Sequence, residues 1–210
     1  MTLTIESRVL ELEVAHNVRH LGGYTTSNGR TTNPRIIRSA GLHRLTPNGI
    51  AVLAERGVTN VVDLRSKAER EREQTPSLHH VGITSITAAV FDIDASPEGL
   101  GKEFAGYAPV YRSMLQTGRP AYRTLFETIA TAPGGVLFHC SAGKDRTGIA
   151  SALLLGLAGV PDEVIVQDYS LSEALLSPLL PEWLPRIQER GLTETQARGM
   201  LASRPDAMEH

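Results

Sequence analysis

The sequence is poor in the features that mark several large classes of protein. Cys140 is the only cysteine among 210 residues, which excludes an internal disulfide framework and a zinc site built from several cysteines. Neither sign of charge dominates, because 21 Lys and Arg stand against 23 Asp and Glu. Overall charge therefore gives no reason to expect binding to nucleic acid or to an anionic membrane. No apolar run approaches the roughly 20 residues of a membrane span, so we expect no stable membrane insertion.

What is present suits one compact domain. With 41% apolar residues, a chain of this length can bury a sizeable core without metals or disulfides, and we expect residues 1–210 to form a single domain. A lone thiol is typical of a reducing compartment. Acidic residues interrupt the apolar ones near the N-terminus, unlike in a signal peptide. Both features predict a cytoplasmic protein.

Helical and extended patterns alternate along the chain, which favours an α/β fold. Thr46 before Pro47 has the form of an N-cap followed by proline at the first helical position. We therefore predict a central, mostly parallel sheet of four to five strands flanked by helices. The extended candidates are Leu10–Val14, Arg35–Arg38, Val58–Leu64 and Val136–His139, and the helical candidates are Pro47–Arg56, Lys67–Gln74, 121–132 and Thr147–Leu157, with a further helix beginning near Pro161.

Residues 82–120 are the least regular part of the chain, with many glycines and prolines. Their apolar residues need a surface to cover, which favours a lid-like, partly helical insertion over a linker. Tyr107, Tyr111 and Met114 suggest a helix inside this segment. They either cover the mouth of a site or pack in the core, and the pattern leaves both interpretations open.

The segment with the clearest chemistry is HCSAGKDRTG, residues 139–148, between a predicted strand and a predicted helix. The strand brings Cys140 to the carboxyl edge of the sheet, where ligands of α/β proteins bind. The loop Ser141–Asp145 can aim backbone N–H groups inward, and the N-terminus of the following helix attracts anions. Arg146 offers a planar fork of donors that matches a phosphate. These donors also stabilise a thiolate, so the pattern predicts a phosphate bowl around a cysteine nucleophile.

The predicted site extends to other loop residues and to residues beside the loop. Thr147 can hydrogen-bond the thiolate, and Lys144 on the rim would favour a multiply phosphorylated substrate. Asp63 ends a strand near the site, where it would order Arg146 or the loop backbone. Arg65 would either supplement the anion site or pair with Glu69 one helical turn later. The predicted phosphate ligands are Ser141, Ala142, Gly143, Lys144, Asp145 and Arg146, and the predicted supporting residues are His139, Thr147, Asp63 and Arg65.

Other interpretations of the loop fit its residues less well. A nucleotide-binding P-loop needs a Ser or Thr where Asp145 stands and a glycine where Phe138 stands. An acyl-transfer enzyme would need a separate histidine base for Cys140. A small cysteine buried at a strand end is the structural alternative. The neighbouring His139 and Gly143 favour the nucleophile.

The loop resembles the signature of a known family, the bacterial atypical tyrosine and dual-specificity phosphatases, a group active on phosphoinositides as well as phosphotyrosine. The similarity continues outside the loop in the segments NVRHLGGY (17–24), RSAGL (38–42), VDLRS (62–66) and DYS (168–170). The resemblance implies a cysteine-phosphatase fold, a phosphorylated protein or a phosphoinositide as substrate, and no cofactor or metal. His20 departs from the pattern, because the family has an aspartate there.

The resemblance also assigns the proton donor. The larger class of tyrosine phosphatases uses a mobile Trp-Pro-Asp loop, whereas Trp183, the only tryptophan, is followed by Leu184 and Pro185 and then by no aspartate at the position that such a loop needs. The resemblance implies that Asp145 is the general acid. Asp92 and Asp94, in the lid-like segment, are its rivals.

The favoured function is thus hydrolysis of phosphomonoesters, with Cys140, Arg146 and Asp145 as catalytic residues. The alternative is a pseudophosphatase that binds phosphorylated partners without turning them over. The intact catalytic trio argues against that alternative, because a binding protein has no need of the thiol. A sulfur- or arsenic-transferring enzyme would share the loop chemistry but would not need Asp145.

Overall fold

The computed structural model describes residues 6–30, 32–90, 107–189, 191, 193–203 and 205. Over this part of the chain, helices pack against one five-stranded sheet. The strands are β1 (Arg19–His20), β2 (Ile36–Ser39), β3 (Val58–Asp63), β4 (Thr84–Thr87) and β5 (Gly135–His139). The helices are α1 (Pro47–Glu55), α2 (Lys67–Arg72), α3 (Tyr107–Thr117), α4 (Arg119–Thr131), α5 (Asp145–Leu157), α6 (Asp162–Leu176), α7 (Leu180–Gln188) and α8 (Glu194–Leu201), with short 3₁₀ turns at Glu6–Arg8, His79–Val81 and Ser177–Leu179.

Strand β5 lies in the middle of the sheet. The strand order is β1-β2-β5-β3-β4, with β1 antiparallel to β2 and all other pairs parallel. His139, the last residue of β5, lies between Ser39 of β2 and Asp63 of β3. The chain therefore delivers Cys140 to the carboxyl edge at the centre of the sheet, where α/β proteins bind their ligands. The mixed α/β fold with a five-stranded, mostly parallel sheet confirms the predicted fold class.

The two faces of β5 belong to two apolar cores, as the alternation of side chains along a strand requires. Leu137 faces the core that contains Ile50 and Leu53 of α1. Val136 and Phe138 face the larger core, which is built from α3, α4, α5 and α6. Every residue of β5 is buried, because a central parallel strand is covered on both faces. The strand that precedes Cys140 is thus held rigidly on both sides.

Local signals explain where the first two helices begin. The side chain of Thr46 accepts a hydrogen bond from Gly49 N at 3.1 Å and so caps α1, with Pro47 in its first turn. Helix α2 begins with a capping box, in which Ser66 and Glu69 each bind the other's backbone N–H. The second cap also matters for the site, because the Glu69 carboxylate that accepts from Ser66 N also binds Arg146.

Two predicted segments differ from the structure near the edges of the fold. Leu10–Val14 is not a strand: Glu13 has a φ of +34°, and Ala15 N donates to Leu12 O across a turn, so the chain cannot stay extended. Helix α5 begins at Asp145, two residues before the predicted start. The earlier start puts Asp145 and Arg146 on the first turn of a helix.

The segment 82–120, predicted as a lid-like insertion, begins with a sheet strand instead. Residues Thr84–Thr87 form β4, which pairs in parallel with β3 at the edge of the sheet. The sequence TSIT hides this strand because three of its four residues are polar and the strand is largely exposed. Helix α3 confirms the expected helical part, while residues 91–106 lie outside the described part of the chain. No helix in the described ranges has the length and apolar character to cross a bilayer.

Candidate active site

Cys140 follows β5 directly, and its side chain is buried, with 2% of the residue exposed. The loop Ser141–Lys144 connects it to α5, whose first turn carries Asp145 and Arg146. The strand, the loop and the helix therefore bring the thiol and the guanidinium to the same edge of the sheet, as the sequence pattern predicts.

The carbonyl groups of the loop accept hydrogen bonds from donors behind it, that is, on the side away from the loop's centre. Gly41 N donates to Ser141 O at 2.8 Å. The side-chain amide of Asn17 donates to Ala142 O at 3.1 Å and to Gly143 O at 3.0 Å. Each of these donors lies outside the loop, so the carbonyls point away from its centre.

Arg38 completes this set by donating from Nη2 to Gly143 O at 2.7 Å. A trans peptide is planar, and its N–H points opposite to its C=O. The N–H groups of Ala142, Gly143 and Lys144 therefore point to the inner side of the loop. A concave array of backbone N–H groups beside a helix N-terminus is an anion-binding site.

His139 binds the first carbonyl of the loop. Its Nδ1 lies 3.1 Å from Cys140 O, and the ring is fully buried. Burial lowers the pKa of His139, although Asp63, with Oδ2 at 3.8 Å from Nε2, opposes this effect. The ring is therefore neutral at neutral pH, and a proton on Nδ1 donates to the carbonyl. His139 thus supports the loop rather than acting on a substrate.

Gly143 is the position where the loop requires glycine. Its φ is +67°, a conformation that side chains disfavour. A Cβ atom there would lie 2.3 Å from Ser39 O and 2.5 Å from Ser39 C, which are backbone atoms of β2 and cannot move aside cheaply. The loop can approach β2 this closely only without a side chain.

A buried ion cluster holds the back of the loop. Asp168 of α6 accepts from Arg38 Nη1 at 2.6 Å, from Arg19 Nε at 2.9 Å and from Tyr24 Oη at 2.8 Å. Burial by itself raises the pKa of Asp168, but the charges of Arg19 and Arg38 and these hydrogen bonds outweigh burial and hold the pKa well below its usual range. Burial, with the charge of Arg19, lowers the pKa of Arg38 to about 10, which leaves it protonated at neutral pH.

This ion cluster explains why three distant motifs occur together in the sequence. Residues 17–24 supply Asn17 and Arg19, residues 38–42 supply Arg38, and residues 168–170 supply Asp168. Their side chains meet behind the same loop. The motifs outside the loop therefore set its shape.

Glu69 binds Arg146, a role in the site that the sequence motifs do not predict. Its Oε2 and Oε1 lie 2.7 and 2.8 Å from Nη1 and Nη2 of Arg146, a bidentate ion pair. Oε1 also accepts from Ser141 Oγ at 2.6 Å, and Oε2 from Ser66 N at 2.8 Å. Partial burial raises the pKa of Glu69, but the hydrogen bonds and charge of Arg146 and the other two donors outweigh it and lower the pKa strongly. The capping box SKAE, residues 66–69, was the signal that could have drawn attention to Glu69.

Asp63 and Arg65 bind each other rather than Arg146 and Glu69, so those two of the predicted partners are wrong. Asp63 accepts from Nε and Nη2 of Arg65, at 2.7 Å for the shortest contact, and does not order Arg146. Arg65 donates further to Glu73 O at 2.8 Å and does not pair with Glu69. Burial raises the pKa of Asp63, while the bonds from Arg65 lower it more, so the net shift is downward. The pair braces the turn after β3.

Lys144 does not project from the rim. The residue is 1% exposed, and its Nζ donates to Met200 O at 2.5 Å and to Ala202 O at 3.1 Å, at the end of α8. The prediction of a rim lysine is therefore wrong for the side chain, because α8 packs over it. The backbone N–H of Lys144 still belongs to the loop.

Asp145 and Thr147 occupy the start of α5. The Asp145 side chain is 29% exposed, and its Oδ1 lies 2.5 Å from Tyr111 Oη and 3.5 Å from Lys144 Nζ. The hydroxyl of Thr147 is buried and has no hydrogen-bond partner among the described residues, so the expected bond to the Cys140 sulfur is not made here. The rival acids Asp92 and Asp94 lie outside the described residues.

His20 fills the place of the family's aspartate with a neutral ring. Burial and the charges of Arg8 and Arg56 lower the pKa of His20, and its Nδ1 accepts from Gly22 N at 3.1 Å. An aspartate commonly accepts from the N–H two residues ahead in the same way. His20 therefore makes a contact of the same kind within the turn.

These features together define a cysteine-phosphatase type of loop on a mixed α/β sheet. The sequence profile of the tyrosine phosphatase family matches residues 10–210, so the chain belongs to that family. The match confirms the resemblance that the motifs indicate.

Several individual proteins are similar to this chain. A tyrosine-protein phosphatase of Nostoc commune is 36% identical over 148 residues, 65% of this chain and 47% of that protein. The triple specificity protein phosphatase PtpB of Mycobacterium tuberculosis is 29% identical over 215 residues, 89% of this chain and 77% of that protein. The core catalytic domain of the PP-IP phosphatase SIW14 from S. cerevisiae superposes with a TM-score of 0.46 at 18% identity, over 78% of each chain. The chain thus spans only about half the length of the relative from Nostoc commune.

Proposed function

We propose that this protein hydrolyses phosphomonoesters as a cysteine-dependent protein-tyrosine or dual-specificity phosphatase. The observation that carries the proposal is the loop after β5. Its carbonyls from Cys140 to Gly143 are bound from behind, which leaves the inner N–H groups for an anion beside the thiol. Membership of the tyrosine phosphatase family supports the same activity.

The first step transfers the phosphoryl group to the enzyme. The Cys140 sulfur attacks phosphorus, an S–P bond forms, and the bond from phosphorus to the leaving oxygen breaks. The N–H groups of residues 141–146 and the Arg146 guanidinium bind the three equatorial oxygens, where preorganised donors stabilise the transition state most. Asp145 gives its proton to the leaving oxygen.

The second step regenerates the thiolate. A water molecule attacks the phosphorus of phosphocysteine, and the Asp145 carboxylate takes a proton from it. The S–P bond breaks and phosphate leaves with the oxygen of water. Neither step uses a metal or a cofactor, so chelator is expected to leave the rate unchanged.

The substrate is proposed to be a phosphorylated protein side chain or a phosphoinositide. Both present a terminal phosphate dianion to the same loop, so pocket depth and rim residues decide between them. The names of the relatives, a tyrosine-protein phosphatase and a triple specificity protein phosphatase, support this range. Phosphopeptides and phosphoinositides assayed side by side would rank them. The free, buried thiol also supports a cytoplasmic location, which cell fractionation would test.

Replacement of Cys140 tests the proposed function. Cys140→Ser keeps the shape of the site but removes the nucleophile, so turnover of p-nitrophenyl phosphate in fresh reductant should be lost. Binding of vanadate should persist, because the loop donors remain. Full activity of Cys140→Ser would overturn the mechanism. An inactive wild-type protein that binds phosphopeptide tightly would favour the pseudophosphatase instead.

Asp145→Asn tests the assignment of the acid. On esters with poor leaving groups we expect a loss of about 10²-fold or more, within the range of about 10²–10⁴ for general acid catalysis. The loss should shrink for p-nitrophenyl phosphate, whose leaving group needs little protonation. Asp92→Asn and Asp94→Asn serve as the comparison. If they remove the leaving-group dependence while Asp145→Asn does not, the acid is in the segment 91–106.

A further inference from the structure

Tyr111 of α3 makes a contact that core packing alone does not require. Its hydroxyl lies 2.5 Å from Asp145 Oδ1 and 2.7 Å from the hydroxyl of Tyr169. Both tyrosines are buried, 4% and 1% exposed, and their rings meet edge to face at 6.3 Å between centroids. Residues from α3, α5 and α6 therefore converge on one carboxyl group.

The direction of the two hydrogen bonds that link Tyr169, Tyr111 and Asp145 follows from which of these groups has a proton to donate. A carboxylate has no proton to give, so Tyr111 must donate to Asp145. Tyr111 then has only lone pairs left for Tyr169, and Tyr169 must donate to Tyr111. Burial and the negative charge of Asp145 raise the pKa of Tyr111 far above its ordinary value, so the phenol remains a donor throughout the reaction.

We propose that Tyr111 is a positioning residue for Asp145, with its own hydroxyl held in place by Tyr169. The inference rests on the proposed function, in which Asp145 is the general acid. With Oδ1 bound to Tyr111, the other oxygen, Oδ2, is the one that carries the transferable proton and faces the leaving oxygen. Lys144 Nζ, a charged group, lies 3.5 Å from the same oxygen, Oδ1.

The hydrogen bond between Tyr111 and Asp145 acts in both steps of the proposed reaction. In the first step the Oδ2 proton moves to the leaving oxygen, and the carboxylate that remains keeps the Tyr111 bond. In the second step Oδ2 takes a proton from the attacking water, while the phenolic proton stays on Tyr111. Because the phenol binds the carboxylate more strongly than the carboxylic acid, it stabilises the state formed as the leaving group is protonated. A fixed acid also avoids the loss that follows when a reacting group is misplaced.

Tyr111→Phe tests this proposal, because it deletes only the hydroxyl and keeps the ring in the core. The readout is kcat/KM on phenyl phosphate and on p-nitrophenyl phosphate. We expect a loss of about 10- to 100-fold on phenyl phosphate, as for a misplaced reacting group, and a clearly smaller loss on p-nitrophenyl phosphate.

Three further variants separate positioning from general destabilisation. Tyr169→Phe should change the ratio between the two esters in the same direction but less. In an Asp145→Asn background, Tyr111→Phe should have no further effect on the ratio, since the group it positions is gone. Tyr122→Phe, which removes a phenol oxygen from the same core in α4, should leave the ratio unchanged.

The outcomes decide between the inference and the function it rests on. An unchanged ratio in Tyr111→Phe, or an equal loss on both esters, would overturn the positioning role while Cys140→Ser still tests the phosphatase. If Tyr111→Phe fails to fold, the ratio in Tyr169→Phe decides in the same way. A wild-type protein that hydrolyses neither ester overturns the proposed function, and the inference with it.

Discussion

At the scale of single residues, Glu69 links a helix cap to the catalytic guanidinium. Its carboxylate accepts from Ser66 N, as the third residue of a capping box should, and binds Arg146 in a bidentate pair. Ser141 adds a third donor. Because the cap fixes the Glu69 side chain, the plane of the Arg146 guanidinium is fixed before a substrate arrives.

Glu69→Gln should lower kcat/KM for p-nitrophenyl phosphate by about 10- to 100-fold, since Gln can keep the cap but cannot hold the guanidinium as an ion pair. The lowered pKa of Glu69 means that its carboxylate stays ionised at mildly acidic pH. The ratio of wild type to variant should therefore be the same at about pH 5 and at about pH 7.

Glu71→Gln is the matched control for this change. Glu71 lies on the same helix, but its pair with Lys67 is exposed and 3.7 Å long. Exposed pairs contribute little, so we expect wild-type kinetics. Wild-type kcat/KM in Glu69→Gln would show that Arg146 needs no partner.

At the scale of elements, the junction between β5 and α5 depends on the close approach of the loop to β2. The loop carbonyls are bound by Gly41, Asn17 and Arg38, which come from or lie near β1 and β2. The edge of the sheet and the loop are therefore one structural unit. A change that separates them should remove the anion site even when the thiol and Arg146 remain.

Gly143→Ala should make this separation. The new Cβ would meet Ser39 O at 2.3 Å and adds the cost of a positive φ, so the loop must shift. We expect vanadate binding and turnover to fall together. The unfolding free energy should fall by more than the roughly 1 kcal/mol that an alanine at a positive φ costs where there is no clash. Chemical denaturation and vanadate titration would measure both.

Gly29→Ala provides the comparison, because Gly29 has a φ of +75° but open space where a Cβ would lie. It carries the backbone strain without the clash. Its unfolding free energy should fall by about 1 kcal/mol or less, with normal turnover. Equal effects of the two substitutions would argue against the close approach of the loop to β2.

At the scale of the whole molecule, Asp168 joins the N-terminal segment, the sheet and α6. It binds Arg19 of β1 and Arg38 of β2, all three with 1% or less of the side chain exposed. Removing one member of a buried ion cluster leaves the others unpaired, which is far more costly than losing an exposed pair. The cluster should therefore contribute both to stability and to the shape of the loop.

Asp168→Asn should lower the unfolding free energy by about 3–5 kcal/mol at neutral pH, because two buried arginines lose their counter-charge. The folded pKa of Asp168 is lowered relative to about 3.9 in an unfolded chain. Its contribution is therefore present above about pH 4 and is lost as the pH falls through the lower, folded pKa. Denaturation curves should show the difference between wild type and variant shrinking below about pH 4.

Glu182→Gln tests an exposed ion pair in the same way. Glu182 Oε2 lies 2.7 Å from Arg44 Nη1, with both side chains more than a third exposed. Its loss should cost no more than about 1 kcal/mol. A similar small cost in Asp168→Asn would mean that the buried cluster is not a stabilising centre.

The elements that were predictable from the sequence are those whose signals are local. Helix α1 has its N-cap and proline at adjacent positions, and β5 is a continuous apolar run before the loop. Strand β4 lacks such a signal, since its residues are polar and it is defined by pairing with β3. The segment Leu10–Val14 alternates as a strand does, but in the part of the chain that the structure describes only two isolated bridges form there, Val9–Arg19 and Leu12–Ala15.

The sequence by itself determined the nucleophile loop, because Cys140, the turn and Arg146 are neighbours along the chain, and strand–loop–helix geometry follows from local pattern. Only the tertiary structure decided what surrounds them. Glu69 is 77 positions from Arg146, Tyr111 is 34 from Asp145, and Met200 is 56 from Lys144. The number of residues between two such positions does not predict their distance in space. The packing of α2, α3 and α8 on the loop therefore decided these partners.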